Sequence, residues 1–498
     1  MLAFLLALTL AAPLHSQIVV GLASGDREIH ALAGSDALDV TTGKHRVLIL
    51  GGLDGSGPDM AVQRAWERFR GSKSYAITAI PAANPGRAKL VFPPVGEAYR
   101  DNTESHVLWR WIGVHAPDFV LIAGPDPANL AEALRTSDVA GIGRIPAAVV
   151  PATDSFLADW IARSPKGPGL SPARQEMQRR ARRKPLETAR RLGDRYGHDL
   201  PEAVYIPAVA VIGRIRLGHL ADAERIAAPY ATGAKNSLEK PTGSHHSGHL
   251  LFAELAARTG HDHYVQLVRR AADMAFAGSG QPLEAMPFHN EMSDSVFMAT
   301  PILAAAGHLT KQDKYFDMAV RHFRFMRALD LRPDGLYRHS PLDDSAWGRG
   351  NGFPALGLAW TLRYLPPSHP GRAEILDAFR KHMAALLPHQ DETGMWRQLI
   401  DVPGAYRELT ATCMIATSML QGIRAGWLDR KRYQPAVDRA WAAVNLRVSS
   451  DGSLIDVCTG TGKQKSRRDY LDRPAILGPD PRGGAMALLF ATEMAGLR

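Results

Sequence analysis

Carboxylates, arginines and aromatic residues recur in four short segments of the C-terminal part of this chain. The segments are "FHNEMSDSVFMATPIL" (288–303), "DGLYRHSPLDDSAWGRGNGF" (334–353), "PGAYRELTAT" (403–412) and "DYLDRPAILGPDPRGGAMALL" (469–489). Each segment runs into an apolar stretch of helical character. An arginine fork can bind a carboxylate bidentately, and aromatic faces pack against sugar rings. The combination predicts a binding site for an acidic sugar.

Within these segments, Asp294 stands at the start of an apolar helix. An acidic residue is favoured in the first turn of any helix, so a purely structural role for Asp294 stays open at this point. The other polar and aromatic candidates at corresponding positions are His339, Asp343, Asp344, Trp347, Arg349, Phe353, Glu408, Tyr470, Arg473 and Asp480.

The elements that must position these residues are long amphipathic helices between residues 185 and 498. Apolar residues recur there at helical spacing, and short turns such as "PDGLYRH" and "ETGMWRQ" separate the helices. The turns repeat roughly every 55–60 residues, which corresponds to one helical hairpin per repeat. We therefore predict an all-α (α/α)6 six-hairpin barrel over 185–498, with the functional groups in the loops at one end.

The N-terminal part has a different pattern of apolar residues. Residues 17–160 alternate continuous apolar strands with helical stretches, which predicts an α/β domain with a parallel sheet and makes the chain multi-domain. Residues 161–184 are rich in Arg, Pro and Gly and are predicted to form a linker. The apolar run 1–16 resembles a signal peptide, so we expect a secreted or periplasmic protein; a buried strand or an incorrect start is the alternative.

Charge and composition exclude several classes of partner. The net charge is +9, from 59 basic and 50 acidic residues, and the arginines are scattered along the chain. No zinc-finger spacing or basic stripe indicates nucleic acid, and no later apolar stretch is long enough to predict a membrane span. The modest positive surplus is explained most simply by a solvated basic surface; a preference for anionic substrates is the alternative. The sequence does not determine the oligomeric state.

Taken in order, the four segments resemble the motifs of unsaturated uronyl hydrolases, the glycoside hydrolases of families 88 and 105. The resemblance implies a six-hairpin glycosidase that removes a terminal 4,5-unsaturated uronic acid from oligosaccharides left by polysaccharide lyases. The reaction is hydration of a vinyl ether and needs no metal or organic cofactor. Carried over by motif, Asp294 is the general acid/base, Arg349 contacts the sugar with Trp347 behind it, and His339 lines the site. Phe353 stands where the family usually has Trp.

One segment departs from the family pattern. A second Asp is expected in the stretch "KPTGSHHSGHLLFAEL" (240–255), but Gly243 and Ser244 occupy the two possible positions. His245 and His246 lie next to them, and we include both as substrate-binding candidates together with His289 and Glu408. The departure leaves two alternatives open: a related α/α-barrel hydrolase of saturated glucuronides, or a non-catalytic glycan-binding protein.

The N-terminal part resembles, more weakly, a zinc carboxypeptidase-like domain. The three positions of that family's zinc ligands fall on Asp54, Gly57 and Gly124, and two glycines cannot bind zinc. The resemblance therefore implies a degenerate, non-catalytic domain without a metal. The glycine-rich turn "GGLDGSG" lacks the Lys-Ser/Thr pair of a phosphate-binding loop, which argues against that function.

Overall fold

The structure, a computed structural model, describes residues 16–497 of the chain. The predicted signal peptide, apart from its last residue, lies outside the described residues. The described residues divide into two compact units, the first formed by 16–96 and 101–179 and the second by 97–100 and 180–497. Each unit is described separately below.

The first unit contains a six-stranded sheet with the order β1-β2-β4-β3-β5-β6. The strands are β1 (Ser16–Ala23), β2 (Arg27–Ala33), β3 (His45–Leu50), β4 (Tyr75–Ile80), β5 (Phe119–Ala123) and β6 (Ala147–Val150). Strands β4, β3, β5 and β6 are parallel, as the continuous apolar runs predict. The antiparallel pairing of β1 with β2, and of β2 with β4, was not part of the prediction.

The helices of the first unit follow or separate these strands. They are α1 (Ser35–Leu38), α2 (Met60–Phe69), α3 (Thr103–His115), α4 (Leu130–Thr136), α5 (Phe156–Arg163) and α6 (Pro172–Arg182). Helix α6 lies inside the stretch predicted to be a linker. Its Met177 is fully buried, and its Arg174 is 1% exposed and ion-pairs with the buried Asp118. The basic composition of this stretch therefore reflects packing as well as solvation.

The second unit is a closed ring of inner helices surrounded by outer helices. Its helices are α7 (Pro185–Arg195), α8 (Tyr205–Arg216), α9 (Leu220–Ala231), α10 (Gly243–Gly248), α11 (Leu250–Thr259), α12 (Asp262–Asp273), α13 (Ser295–Thr310), α14 (Asp313–Asp330), α15 (Gly348–Tyr364), α16 (Arg372–Leu386), α17 (Leu409–Arg424), α18 (Arg430–Leu446), α19 (Arg467–Leu471) and α20 (Pro481–Met494). Around the ring, α8, α10 with α11, α13, α15, α17 and α20 contact one another in turn, and α20 closes on α8. This is the predicted six-hairpin barrel.

Burial distinguishes the inner helices from the outer ones. In α13 every residue from Ser295 to Gly307 is buried, and in α15 every residue from Gly348 to Leu362. The outer helix α14 buries one face only. An inner helix is packed on all sides, so it must be apolar all round, whereas an outer helix keeps a polar face. Small residues allow the inner helices to approach closely: a Cβ on Gly357 would lie 2.6 Å from the carbonyl oxygen of Val296.

A short hairpin of β7 (Leu454–Cys458) and β8 (Ala475–Gly478) precedes the last inner helix. Among residues 16–497, no helix is both long enough and apolar enough to cross a membrane.

Candidate active site

A cavity of about 300 Å³ opens where the inner helices of the second unit begin. Its wall combines charged, polar and aromatic side chains. The lining residues are Tyr205, Ile206, Thr242, Gly243, Ser244, Phe288, His289, Asn290, Met292, Asp294, Ser295, Met298, Trp347, Arg349, Phe353, Gly460, Thr461 and Arg482. Of the residues predicted from sequence, this cavity brings together Asp294, His289, Trp347, Arg349 and Phe353.

Asp294 differs from the other acidic residues that precede inner helices. Glu408 caps α17 by accepting a hydrogen bond from the Ala411 N–H at 2.6 Å, and Asp480 caps α20 through two N–H groups. Asp294 occupies the same position before α13, but its carboxylate caps no N–H group of that helix. Its side chain keeps 13% exposure in the cavity wall. Helix capping thus explains the acidic residues Glu408 and Asp480, but it does not explain Asp294.

Glu408, predicted to bind substrate, is instead a buried structural group. It is 0% exposed, and besides the cap on α17 it accepts hydrogen bonds from the Thr410 hydroxyl and from the Cys458 N–H at 2.9 Å. These bonds connect α17 to strand β7. The carboxylate has no surface in the cavity, so a sequence position before an inner helix is not sufficient to place a residue in the site.

His339 lies directly behind Asp294. Its Nε2 is 3.3 Å from Asp294 Oδ1, although the angle is poor for a hydrogen bond, and its Nδ1 is 2.9 Å from the Tyr470 hydroxyl. The imidazole is 0% exposed and packs at 4.3 Å, between ring centroids, against Trp347. His339 therefore supports the carboxylate from behind, whereas the sequence predicted that it would line the cavity.

Arg349 is held rigidly in the cavity wall. Its two terminal nitrogens donate to the carbonyl oxygens of Cys458 and Thr459, each at 2.7 Å, and its guanidinium lies 4.5 Å over the Trp347 ring. Trp347 therefore packs against Arg349 in the cavity wall. The fixed position means that little side-chain entropy is lost when an anion binds.

A second arginine, Arg482, also lines the cavity, and the sequence interpretation missed it. The neighbouring Asp480 orients it through two contacts, Nη2 to Oδ2 at 2.7 Å and Nε to Oδ1 at 3.3 Å. The segment "DPRGG" contains this arginine, but only Asp480 was singled out from it. A charged residue at the start of the last inner helix was the available signal.

Gly243 and Ser244, the positions at which the resemblance led us to expect a second Asp, both line the cavity. The two neighbouring histidines do not replace the carboxylate there. His246 is 1% exposed, and burial lowers its pKa to about 3, so it stays neutral. The Nδ1 of His245 is hydrogen-bonded to the Thr242 hydroxyl at 2.8 Å. Burial lowers the pKa of His245. Both histidines lie on the short helix α10 and are absent from the cavity lining.

The aromatic and glycine residues near the cavity have mainly structural contacts. Phe353 is 1% exposed, and its ring packs edge-on against Tyr205 at 5.5 Å, so it forms the floor of the cavity. The glycines of "GRGNGF" lie inside α15. A Cβ on Gly348 would lie 2.6 Å from the carbonyl oxygen of Arg397. These glycines permit close packing of the protein.

One loop at the cavity is conformationally unusual. Phe288, Asn290 and Glu291 all have positive φ angles, between 50° and 63°. Left-handed conformations of residues other than glycine cost energy and concentrate at functional sites. His289 lies in this loop and lines the cavity. Phe288 beside it is 42% exposed, which leaves an apolar ring face at the mouth.

Comparison with known proteins places this second unit in a family. The sequence model of Glycosyl Hydrolase Family 88 matches residues 222–497. The chain belongs to this family. It is 28% identical over 190 residues to the unsaturated rhamnogalacturonyl hydrolase YesR of Bacillus subtilis. The matched region covers 36% of this chain and 53% of that protein. It is also 28% identical over 175 residues to an unsaturated 3S-rhamnoglycuronyl hydrolase of an Alteromonas species, covering 32% of this chain and 42% of that protein.

The chain spans about half the length of the curated relatives that it matches. Solved structures show the same barrel fold. A possible member of the GH105 family from Salmonella enterica has a TM-score of 0.53 at 20% identity, covering 65% of this chain and 94% of that one. A family 105 glycoside hydrolase from C. acetobutylicum has a TM-score of 0.53 at 19% identity, covering 62% and 99%.

Proposed function

We propose that this protein hydrolyses oligosaccharides that carry a terminal 4,5-unsaturated uronic acid. Membership of glycosyl hydrolase family 88 and the names of the curated relatives support this substrate class. The observation that carries the proposal is the free carboxylate of Asp294, which faces a cavity lined also by two arginines, Arg349 and Arg482.

The charges in the cavity suit such a substrate. Two guanidinium groups line the cavity and can bind the C5 carboxylate of an unsaturated uronic acid, whereas their acidic partners Asp480 and Glu408 lie outside the lining. Both arginines are already oriented, Arg349 by backbone carbonyls and Arg482 by Asp480. Charge-assisted bonds to a carboxylate are among the stronger polar contacts, especially where water is excluded.

The reaction that fits this arrangement uses Asp294 first as acid and then as base. The protonated carboxyl gives its proton to C4 of the sugar while a water oxygen bonds to C5, and the proton lost by that water returns to the carboxylate. The hemiketal formed at C5 then opens to a ketone and leaves a hemiacetal at C1. Breakdown of this hemiacetal to an aldehyde breaks the glycosidic bond and releases the remaining oligosaccharide as an alcohol. One carboxyl group is sufficient for both transfers because it ends each cycle in its starting form.

The test is direct. The purified protein is incubated with lyase-generated fragments of pectin, ulvan and glycosaminoglycans, and the ultraviolet absorbance of the conjugated double bond is followed. We expect this absorbance to decrease with at least one fragment class. Constant absorbance across the whole panel would refute the proposal. The Asp344→Asn variant, which changes an exposed carboxylate outside the cavity, serves as a control that keeps activity.

The replacement of the family's second Asp by Gly243 and Ser244 favours one alternative. A hydrolase of saturated glucuronides would release glucuronate from a chromogenic glucuronide and leave the unsaturated fragments intact. If neither substrate is cleaved but oligosaccharides bind in calorimetry, a non-catalytic glycan-binding function replaces both. Each of these outcomes is distinct from the expected loss of absorbance.

We also propose that the protein is exported and that its first unit has no catalytic role. The apolar run at residues 1–16 supports export, and sequencing the N-terminus of the mature protein from a periplasmic or culture fraction tests it. In the first unit, Asp54 bonds to the neighbouring Ser56, and within residues 16–497 no three His, Cys, Asp or Glu side chains are grouped to hold a metal ion. Peptidase activity from the full chain with added zinc would refute the second part.

A further inference from the structure

A chain of polar contacts extends from Asp294 away from the cavity into the barrel. Asp294 Oδ1 is 3.3 Å from His339 Nε2, and His339 Nδ1 is 2.9 Å from the hydroxyl of Tyr470. His339 and Tyr470 are both 0% exposed. No solvent reaches the two ring nitrogens, so the position of the single proton on a neutral imidazole depends on its protein neighbours.

The contacts of the Tyr470 hydroxyl favour one direction of its hydrogen bond with the imidazole. Its oxygen accepts a hydrogen bond from the Gln464 N–H at 3.3 Å. Burial raises the pKa of Tyr470, so the phenol keeps its proton at neutral pH. The phenolic hydrogen therefore remains to be donated, and His339 Nδ1, at 2.9 Å, is the acceptor in reach.

We propose that Tyr470 is a positioning residue that fixes His339 in the Nε2–H tautomer and thereby places an N–H, rather than a lone pair, 3.3 Å from Asp294 Oδ1. If Nδ1 accepts, the proton of the neutral ring must be on Nε2, where it faces Asp294 Oδ1. The opposite tautomer would place the Nε2 lone pair against the carboxylate and a second donor, beside the Gln464 N–H, against the Tyr470 oxygen. This inference deepens the proposed function, because it rests on Asp294 being the group that exchanges protons with the substrate.

The arrangement assigns different tasks to the two carboxylate oxygens. Oδ1 is buried and faces His339, so the 13% exposure of the side chain belongs to the part that faces the cavity. The oxygen that exchanges the proton with substrate is therefore Oδ2. The partial positive charge of an N–H near Oδ1 stabilises the ionised form, which the second, base step of the reaction needs. The charged and titratable groups around Asp294 are His339, Arg349, Tyr205, Tyr470 and Asp330.

The first experiment does not depend on turnover. Nitrogen-15 NMR of histidine-labelled protein distinguishes a protonated ring nitrogen from an acceptor nitrogen, and the His339→Gln variant identifies the signals of His339. We expect an Nε2–H tautomer in the wild-type protein and a mixture of tautomers in Tyr470→Phe. An Nδ1–H tautomer in the wild-type protein would overturn the proposal, whether or not the protein cleaves any oligosaccharide.

The second experiment measures pH–rate profiles on the unsaturated fragment that is cleaved. Tyr470→Phe should reduce kcat roughly threefold to tenfold, the effect of losing one buried neutral hydrogen bond, and leave KM within about twofold. The falling limb of the profile should move to higher pH, because the ionised carboxylate no longer faces a fixed N–H. Tyr337→Phe, which alters a buried tyrosine packed against His382, is the matched control and should keep both kcat and the profile.

The two proposals fail in different ways. A wild-type protein that hydrolyses no unsaturated fragment refutes the proposed function, while the NMR result for His339 still decides the tautomer. A reduced kcat with an unshifted profile in Tyr470→Phe would mean that the hydroxyl has only a structural role, and it would overturn the positioning role.

Discussion

Replacing Asp330 by Asn should stabilise the protein, and increasingly so as the pH rises. Asp330 is the last residue of α14 and is 0% exposed, and neither carboxylate oxygen has a hydrogen-bond partner among residues 16–497. The Arg338 Nε atom is 3.9 Å from Oδ1. Burial is the main cause that raises the pKa of Asp330 to about 8; Arg338 opposes the shift and Asp294 adds to it. The folded protein therefore holds a proton that the unfolded chain releases near pH 4.

The sign and size of the effect follow from linkage. A carboxyl group with a raised pKa in the folded state contributes its full stability below pH ~4 and loses it as the pH rises towards 8. At pH 7 the loss is at most about 4 kcal/mol, from 1.36 kcal/mol for each pH unit above the unfolded pKa. Local relaxation and water entry reduce this limit, so we expect Asp330→Asn to be about 2–4 kcal/mol more stable at pH 7.

The assay is chemical unfolding at a series of pH values from 4 to 8, with tryptophan fluorescence as the signal. The difference in unfolding free energy between Asp330→Asn and wild type should be near zero at pH 4 and grow up to pH 8. Asp344→Asn is the matched control: its carboxylate is 83% exposed, and its effect should be small and nearly independent of pH. A constant difference between variant and wild type across this range would refute the reasoning.

Three further substitutions test the assignments in the site. Asp294→Asn should reduce kcat roughly 10²–10⁴-fold without loss of folding, since a general acid/base contributes on this scale, and a variant that keeps wild-type turnover would refute its role. Arg482→Ala should raise KM for an unsaturated uronide about tenfold or more through loss of a charge-assisted bond, with Arg482→Lys intermediate; an unchanged KM would remove Arg482 from the site. Glu408→Gln should lower the free energy of unfolding by about 1–3 kcal/mol and leave kcat of the folded fraction nearly unchanged. Full stability with lost turnover would instead restore Glu408 as a substrate-binding residue.

The barrel could be predicted from sequence because its inner helices are apolar on all sides and its outer helices on one. That contrast is a local property of each segment, repeated at a regular spacing, and it fixed the placement of α13, α15 and α17. The two antiparallel strands β1 and β2 were harder, because their pairing with β4 depends on contacts between distant parts of the chain. Helix α6 was not predicted, because the Arg, Pro and Gly content of this stretch is also typical of linkers.

The candidate site was predicted in part, for a physical reason. Asp294 and Glu408 occupy the same kind of sequence position, before an inner helix, and only the structure shows that Glu408 caps its helix while Asp294 does not. Arg482 and the contact of Tyr470 with His339 were missed, since they depend on loops far apart in sequence. An acidic residue before an inner helix shows that the residue lies at the end of the barrel that holds the cavity. Whether its side chain can bind substrate depends on its hydrogen bonds, which the sequence does not show.

The closure of the ring between α8 and α20 has a consequence for how the protein matures during synthesis. Tyr205 at the start of α8 and Arg482 at the start of α20 both line the cavity, and 277 positions separate them in the sequence. A nascent chain therefore lacks one wall of its cavity until the last inner helix has emerged from the ribosome. A prematurely terminated product that ends after residue 349 and before residue 482 would carry Asp294 and Arg349 and still be unable to enclose a sugar.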